Sequence, residues 1–333
     1  MPDSAVDEAP GRKRTIRKRR RNLLLVKICG AWVLLLGGVV FIAWMIGTNE
    51  PAQTRKAPTA IAGDDVESAF LKKAQVRYSQ SFGGFLSASS PEERDQFVRN
   101  PVGTAGIMAR YYDMNPIGII EPSKVSLNGN QILKLNSESV IGTSWKVADG
   151  RTVDAVFFEK DGDWLLDWQQ YVRYSDMPWA LFLAGTEDQS AEFRLLARQR
   201  LARENAAGDH LSLVFYAPRF GAPSEIGTPS PEFIVPRNSE NGRLLGAAFQ
   251  MLAENKRPYD AQLSRDDPDG MIRVRVRVRR IQDDHGRHFE LEKVIACHWI
   301  SVDEPGVVPL TEQQVSEQKN AARVANQAPK PAE

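Results

Sequence analysis

From Asp64 the apolar positions recur at helical spacing. Val66, Phe70, Leu71, Ala74 and Tyr78 share one face of "DDVESAFLKKAQVRYSQSFGGFL", and Asp64 or Asp65 can cap its start. "SPEERDQFVRN" places a serine before a proline at the first helical position, and "NPVGTAGIMARYYDMNP" predicts a third helix bounded by prolines. The period then falls from about 3.6 to 2. "QILKLN", "SESVIGTSWKVADG", "RTVDAVFFEKDGD" and "WLLDWQQYVRYS" predict strands, joined by turns such as Ala148-Asp149-Gly150 and Asp161-Gly162-Asp163. Three helices before an antiparallel sheet predict an α+β domain over 65–185, with helices on one sheet face and "DMPWALFLAG" closing it.

A second small α+β domain is expected over 186–305. It opens with "DQSAEFRLLARQRLAREN", an Arg-rich amphipathic helix, followed by strands "HLSLVFYAP" and "EFIVP". "SENGRLLGAAFQMLAEN" predicts a helix with Leu244, Leu245, Ala248, Met251 and Leu252 on its apolar side. "PYDAQLS", "MIRVRVRVRRI" and "HFELEKVIACHWISV" predict strands, the last two as a C-terminal hairpin around "QDDHGR".

Closing that turn with Asp284 opposite Arg287 pairs Arg279 with Glu292, Arg277 with Val294 and Arg273 with His298. The other face pairs Val276 with Ile295, Val274 with Cys297 and Ile272 with Trp299. One face is then apolar, and the other carries charges of both signs. The arginines Arg273, Arg275, Arg277 and Arg279 read as the wetted side of a sheet. The rival reading is a surface for lipid headgroups, a cell-wall polymer or an acidic protein. From Thr311, "TEQQVSEQKNAARVANQAPKPAE" has no aromatic residue and few large aliphatics, so 306–333 is expected to be a disordered tail.

Upstream of these patterns, Ile28–Gly47 is an uncharged apolar run of twenty residues. At 1.5 Å per residue it spans the roughly 30 Å hydrocarbon core. Trp32 and Trp44 sit toward its ends, where indoles favour the interface. The run exceeds a secretory signal core and lacks a clear A-x-A site, so 23–47 predicts a transmembrane signal anchor. Residues 1–27 hold nine Lys/Arg against three Asp/Glu, a net +6, which leaves −5 for the rest of a chain of net charge +1. The block "RKRTIRKRRR" therefore keeps 1–22 cytoplasmic and places the chain beyond the span outside, on a flexible Pro/Ala/Thr-rich linker over 48–64. A mildly acidic ectodomain argues against nucleic acid as a partner. Cys297 is the one cysteine outside the span, so no internal disulfide is available, as suits a bacterial periplasm. The expected localisation is the inner membrane.

The helical opening and the pair "TVDAVFFEK-DGD-WLLDWQQYVRY" resemble the NTF2-like, or SnoaL-like, cone fold over roughly 65–185. The resemblance implies either a binding or assembly module or a small-molecule enzyme with a base inside the cone. Asp113 and Asp154 are the carboxylates available for that role. It also implies a homodimer through the open sheet face.

Other chemistry is sparse, and no catalytic, cofactor or metal site is assigned. "DDHGRH" (Asp283, Asp284, His285, His288) reads as a surface turn without metal-ligand spacing. "DDPDG" at Asp266–Gly270 lacks the distal glutamate of a calcium loop, Val278 standing there. Cys297 reads as a buried hydrophobe. Trp145, Trp164, Trp168, Tyr171 and Tyr174 read as core, with a pocket lining as the alternative. The first expectation is a membrane-anchored extracytoplasmic binding or assembly protein with an envelope-protein partner. The alternative is a cone-fold enzyme using a buried carboxylate.

Overall fold

The computed structural model describes residues 62–327 apart from 136, 137, 139, 201–207, 262–265 and 285. The expected cytoplasmic segment, membrane anchor and most of the linker lie outside the described residues. Among the described residues no helix is long and apolar enough to cross a membrane.

Helix α1 (Ala62–Ser87) buries Ala74, Tyr78, Phe82 and Phe85, while Val66 is exposed. In α2 (Pro91–Asp95) the N-cap Ser90 accepts a hydrogen bond from the Glu93 amide, with proline next. Asn100 caps α3 (Pro101–Met114) in the same way through the Gly103 amide. Strands β1 (Val125–Leu133), β2 (Val140–Val147), β3 (Thr152–Lys160) and β4 (Asp163–Leu166) form an antiparallel sheet in sequence order. "WLLDWQQYVRYS" is not one long strand. Asp167 accepts from the Gln170 amide at 3.1 Å and starts the helical turn α4 (Trp168–Tyr171).

After α5 (Trp179–Ala184) come β5 (Gln189–Arg200), β6 (His210–Pro218), β7 (Ile226–Pro229) and β8 (Phe233–Pro236). Helix α6 (Glu240–Ala253), β9 (Met271–Asp283), β10 (Gly286–Ala296) and α7 (Glu312–Gln327) complete the order. The second sheet runs β10-β9-β5-β6-β7, with β8 also paired to β6. The architecture is α+β with antiparallel sheets.

Three local expectations are corrected. Where a helix is expected over 188–205, residues 189–200 are strand β5, hydrogen-bonded on one edge to β9 and on the other to β6, and 201–205 lie outside the described residues. Ala191, Phe193, Leu195 and Ala197 alternate into the core, and Leu196 hid this period in the sequence by packing on the opposite face with Met271 and Trp299. "PYDAQLS" begins as a 3₁₀ turn, Pro258–Asp260, instead of a strand. The tail carries α7, whose Val315 is 4% exposed and joins Leu310 and α6 in the core. Low mean apolarity suggested disorder there, yet a helix needs only one buried position per turn to dock.

The hairpin register also differs. Asp283 pairs with Gly286 and Arg279 with Glu290, two residues from the expected partners. Two irregularities in β10 take up the offset, so Ala296 opposite Arg275 regains the expected register. The apolar side is as expected, with Ile272, Val274, Val276 and Val278 all in the core.

Each sheet has its own core. Residues up to Tyr174 pack between α1–α3 and the first sheet, and residues from Met177 onward pack between the second sheet and α5–α7. A third cluster joins the halves: Leu133, Val140, Val156 and Phe158, on the face of the first sheet away from its helices, pack against Ile300 and Val302. That outer face, through which the cone-fold resemblance implies dimerisation, is therefore covered by the chain itself.

Val315→Ala should cost about 1.5 kcal/mol by loss of two buried methyl groups. Val308→Ala, at a residue 86% exposed, should stay within about 0.5 kcal/mol. Urea denaturation of the two variants checks the docking of α7, since an undocked tail would make both neutral.

Candidate functional site

The arginine row of β9 divides along its length. Arg273 donates from Nε and Nη2 to both oxygens of Asp267, at 2.7 and 2.8 Å, and from Nη2 to Asp154 at 2.8 Å. All three side chains are less than a tenth exposed. Burial disfavours the Arg273 charge, but Asp267 and Asp154 outweigh it and hold the guanidinium above its ordinary range. Burial pushes the Asp267 carboxyl up, with Arg273 pulling it back. Arg275 donates to the carbonyls of Ile300 and Val302 at 3.0 and 2.9 Å and approaches Glu192 at 3.3 Å. Arg277 and Arg279 are about half exposed and lie 4.0 and 3.9 Å from Glu192 and Asp188. The wetted-face reading thus holds for Arg277 and Arg279 and is corrected for Arg273 and Arg275, which lie in the junction between the sheets.

Arg194 of β5 completes that junction. It is 2% exposed and donates to the carbonyls of Trp299 and Tyr174, to Gln169 Oε1 and to Ser301 Oγ, all within 3.0 Å. Asp167 accepts from the amide and hydroxyl of Ser301 at 2.6 and 2.7 Å. The segment after β10 is therefore strapped to both sheets through Ile300–Val302.

The candidate bases do not meet inside the first half. Asp113 is exposed, and Asp154 lies on the sheet face opposite the helices, paired with Arg273. The interior is filled by rings: Tyr78 stacks on Phe157 at 5.6 Å, and Phe82 lies 4.8 Å from Trp145 and 5.7 Å from Tyr171. Trp164 and Trp168 are 3% and 1% exposed, so the aromatic stripe is core apart from Tyr174. His288 and Asp283 sit exposed, 3.7 Å apart, and His285 lies outside the described residues. Among the described residues no three potential metal ligands come together. Burial pushes the Cys297 thiol up to about 12, and its Sγ faces the Leu244 carbonyl at 3.8 Å.

Besides an open concavity of about 470 Å³ at Asp167, Arg275 and Ser301, two others border the junction. One, beside Tyr259, Asp267 and His298, has room for about 50 Å³. A water occupies roughly 10–15 Å³ on this measure, so the space suits a few waters and nothing of ligand size. His298 Nε2 donates to the Glu304 carbonyl at 2.8 Å, while burial pushes the imidazole down to about 4.

The other is a groove of about 380 Å³, within the range of ligand sites. Helix α3 supplies Ile107, Arg110, Tyr111 and Met114, the connection after α4 supplies Arg173 and Tyr174, α5 supplies Trp179, and Phe220 follows β6. Arg173 is 8% exposed, and its Nε and Nη1 have no hydrogen-bond partner among the described residues. Trp179 Nε1 is likewise unpartnered. Leaving such donors unmet costs about 1–3 kcal/mol each, more for a charge. Burial pulls the Arg173 guanidinium below its ordinary value, with Asp154 and Asp267 pulling it partly back.

Arg173 also has φ 55°, at the C′ position of α4. There its amide bonds the Gln170 carbonyl and the Tyr174 amide bonds the Gln169 carbonyl, a Schellman closure in which glycine is usual. No sequence signal pointed to Arg173, because "YVRY" has neither glycine nor a recognisable motif. Asp267 stood out in the sequence only as part of "DDPDG", a calcium-loop fragment without its distal glutamate.

Searches of family models, characterised proteins and solved structures find no match to this chain.

Arg273→Met should cost about 3–5 kcal/mol, because Asp154 and Asp267 stay buried without their cation. Arg277→Met, on the same strand but half exposed, should cost less than about 1 kcal/mol by chemical denaturation. His298 stays neutral in the fold, whereas the unfolded chain protonates it below about 6.5. Its contribution is complete above that pH and lost as pH falls toward 4, on the order of 3 kcal/mol in all. His298→Gln should flatten this part of the stability–pH curve, and an unchanged slope would show that His298 does not cause it.

Proposed function

We propose that this chain is a membrane-anchored, extracytoplasmic binding or assembly protein of a bacterial envelope. A single span over 23–47 holds the basic residues 1–22 in the cytoplasm and presents the α+β unit on the other side of the inner membrane. Residues 65–185 are read as an NTF2-like cone domain, because three helices precede and cover one face of a four-stranded antiparallel sheet. The partners are envelope proteins, and nucleic acid is not among them.

Binding is favoured over catalysis by one observation, the filled interior of the first half. Tyr78, Phe82, Trp145, Phe157 and Tyr171 occupy the space where a cone enzyme holds substrate. Neither candidate carboxylate stands there: Asp113 is exposed and Asp154 neutralises Arg273. One concave surface left open is the groove at Arg173. A homodimer would need a surface other than the outer face of the first sheet, which Ile300 and Val302 cover.

Alkaline phosphatase, which is active only after export, tests the topology in a bacterial host. Fused after Glu333 it should be active, and fused after Arg21 inactive, with the full chain resisting carbonate extraction from membranes. The opposite activity pattern, or a freely soluble chain, would overturn the reading.

A further inference from the structure

We infer that the groove between α3 and the connection after α4 binds an organic carboxylate carried on an aromatic or aliphatic body, with Arg173 as its anchor. The inference rests on the binding reading above and supplies its ligand class. It stands first on donors without acceptors. Arg173 offers Nε and Nη1, Trp179 offers its indole N–H, and none has a partner among the described residues. The Nε–H lies on the guanidinium edge that Nη2 shares, and that edge matches the two oxygens of a carboxylate.

Charge points the same way. Arg110, Arg173 and Arg194 line the groove against one acidic residue, Asp176, which is exposed and already accepts from the Glu192 amide at 2.8 Å. Arg194 is fully engaged by backbone and side-chain oxygens, whereas Arg173 feels the charges of Asp154 and Asp267 but is hydrogen-bonded by neither at Nε or Nη1. The walls fit an apolar body. Met114 and Phe220 are 64% and 38% exposed at the rim, with Ile107 and Tyr111 beside them. The Arg173 guanidinium lies 5.5 Å from the Phe220 ring, and its Nε and Nη1 are closed to solvent, so a ligand reaches them only by a side-chain shift, for which Phe220, already part-way in solvent, is placed.

The position of Arg173 supports a role beyond packing. A non-glycine residue at positive φ carries strain, and strained residues cluster where ligands are held. Glycine would relieve that strain, and an arginine there keeps Nε and Nη1 unbonded even with Asp154 and Asp267 favouring its charge.

The test uses the full chain in detergent, titrated calorimetrically with 3-phenylpropionate, 3-phenylpropionamide, and Ala-Ala-Phe with a free or amidated C-terminus. The free acids should bind with Kd of about 1 mM or tighter, and the amides should bind about tenfold to a hundredfold more weakly. Arg173→Gln should bring the acids to the level of the amides while leaving the melting temperature unchanged or higher. Trp179→Phe should weaken the acids several-fold and remove the 5-fluorotryptophan resonance that shifts on titration. Preference for the small acid would identify a free metabolite-like carboxylate, and preference for the peptide acid a chain terminus.

Equal binding of acid and amide, no binding by any probe, or acid preference surviving Arg173→Gln would overturn the inference. Should Arg173→Gln fail to fold, Arg173→Lys and Trp179→Phe decide in its place, since acid preference undiminished in both is equally fatal. None of these outcomes bears on the phosphatase fusions, so failure here leaves the membrane topology standing. A cytoplasmic C-terminus would in turn leave the titrations valid.

Discussion

A guanidinium taken out of water loses hydration that only close anions or several carbonyl oxygens can replace, and the junction between the two sheets is built around that requirement. Arg273 meets two carboxylates from distant parts of the chain, Asp154 of β3 and Asp267 of the turn before β9. Arg194 and Arg275 meet mainly carbonyls. These partners are fixed in place only when both sheets are formed and docked. The charges therefore specify one relative position of the halves, a task that apolar contact alone, indifferent to small slides, performs poorly. The neighbouring cluster of Leu133, Val140, Val156, Phe158 and Ile300 supplies the nonspecific attraction, and the ion pairs supply the register.

The strap after β10 obeys the same constraint. Trp299, Ile300, Ser301 and Val302 lack strand partners, so their polar groups need others. Arg194 takes the Trp299 carbonyl, Arg275 takes those of Ile300 and Val302, and Asp167 takes the Ser301 amide. A buried stretch without regular structure is thus satisfied by charged side chains of both sheets. Its apolar side chains close the outer face of the first sheet.

The sequence made some of this legible and hid the rest for identifiable reasons. Elements with one clean period were readable: the hairpin of β9 and β10, α6, and the capped starts of α2 and α3. Strand β5 was not, because Leu196 and Arg194 on its second face also sit in the junction, and a strand buried on both sides loses the alternation that marks it. Helix α7 was missed because its docking depends on Val315 and Leu310 meeting α6, which no local composition reports. The arginines of β9 were correctly placed on one face, but the sequence contains no measure of how far the other half of the molecule covers it. Asp154 looked like a candidate base for the same reason. Its burial was foreseeable, and its facing away from the helices toward Arg273 was not.

Arg173 is the exception within this arrangement. Arg194, Arg273 and Arg275 are each met by several oxygens, whereas Arg173 has the Phe220 and Trp299 rings beside its guanidinium and no acceptor for Nε or Nη1 among the described residues. It also occupies a helix-closing position where glycine would relieve strain. Local preference and global packing agree almost everywhere else in the junction, and both disfavour this residue. Natural sequences tolerate such a conflict chiefly where a site needs it. Asp154 and Asp267 favour its charge from a distance, so what distinguishes Arg173 from the other three is that no acceptor bonds its Nε or Nη1 beside an apolar-walled groove. The contrast between Arg173 and its hydrogen-bonded neighbours, more than the shape of the groove alone, is the ground for the proposed carboxylate site.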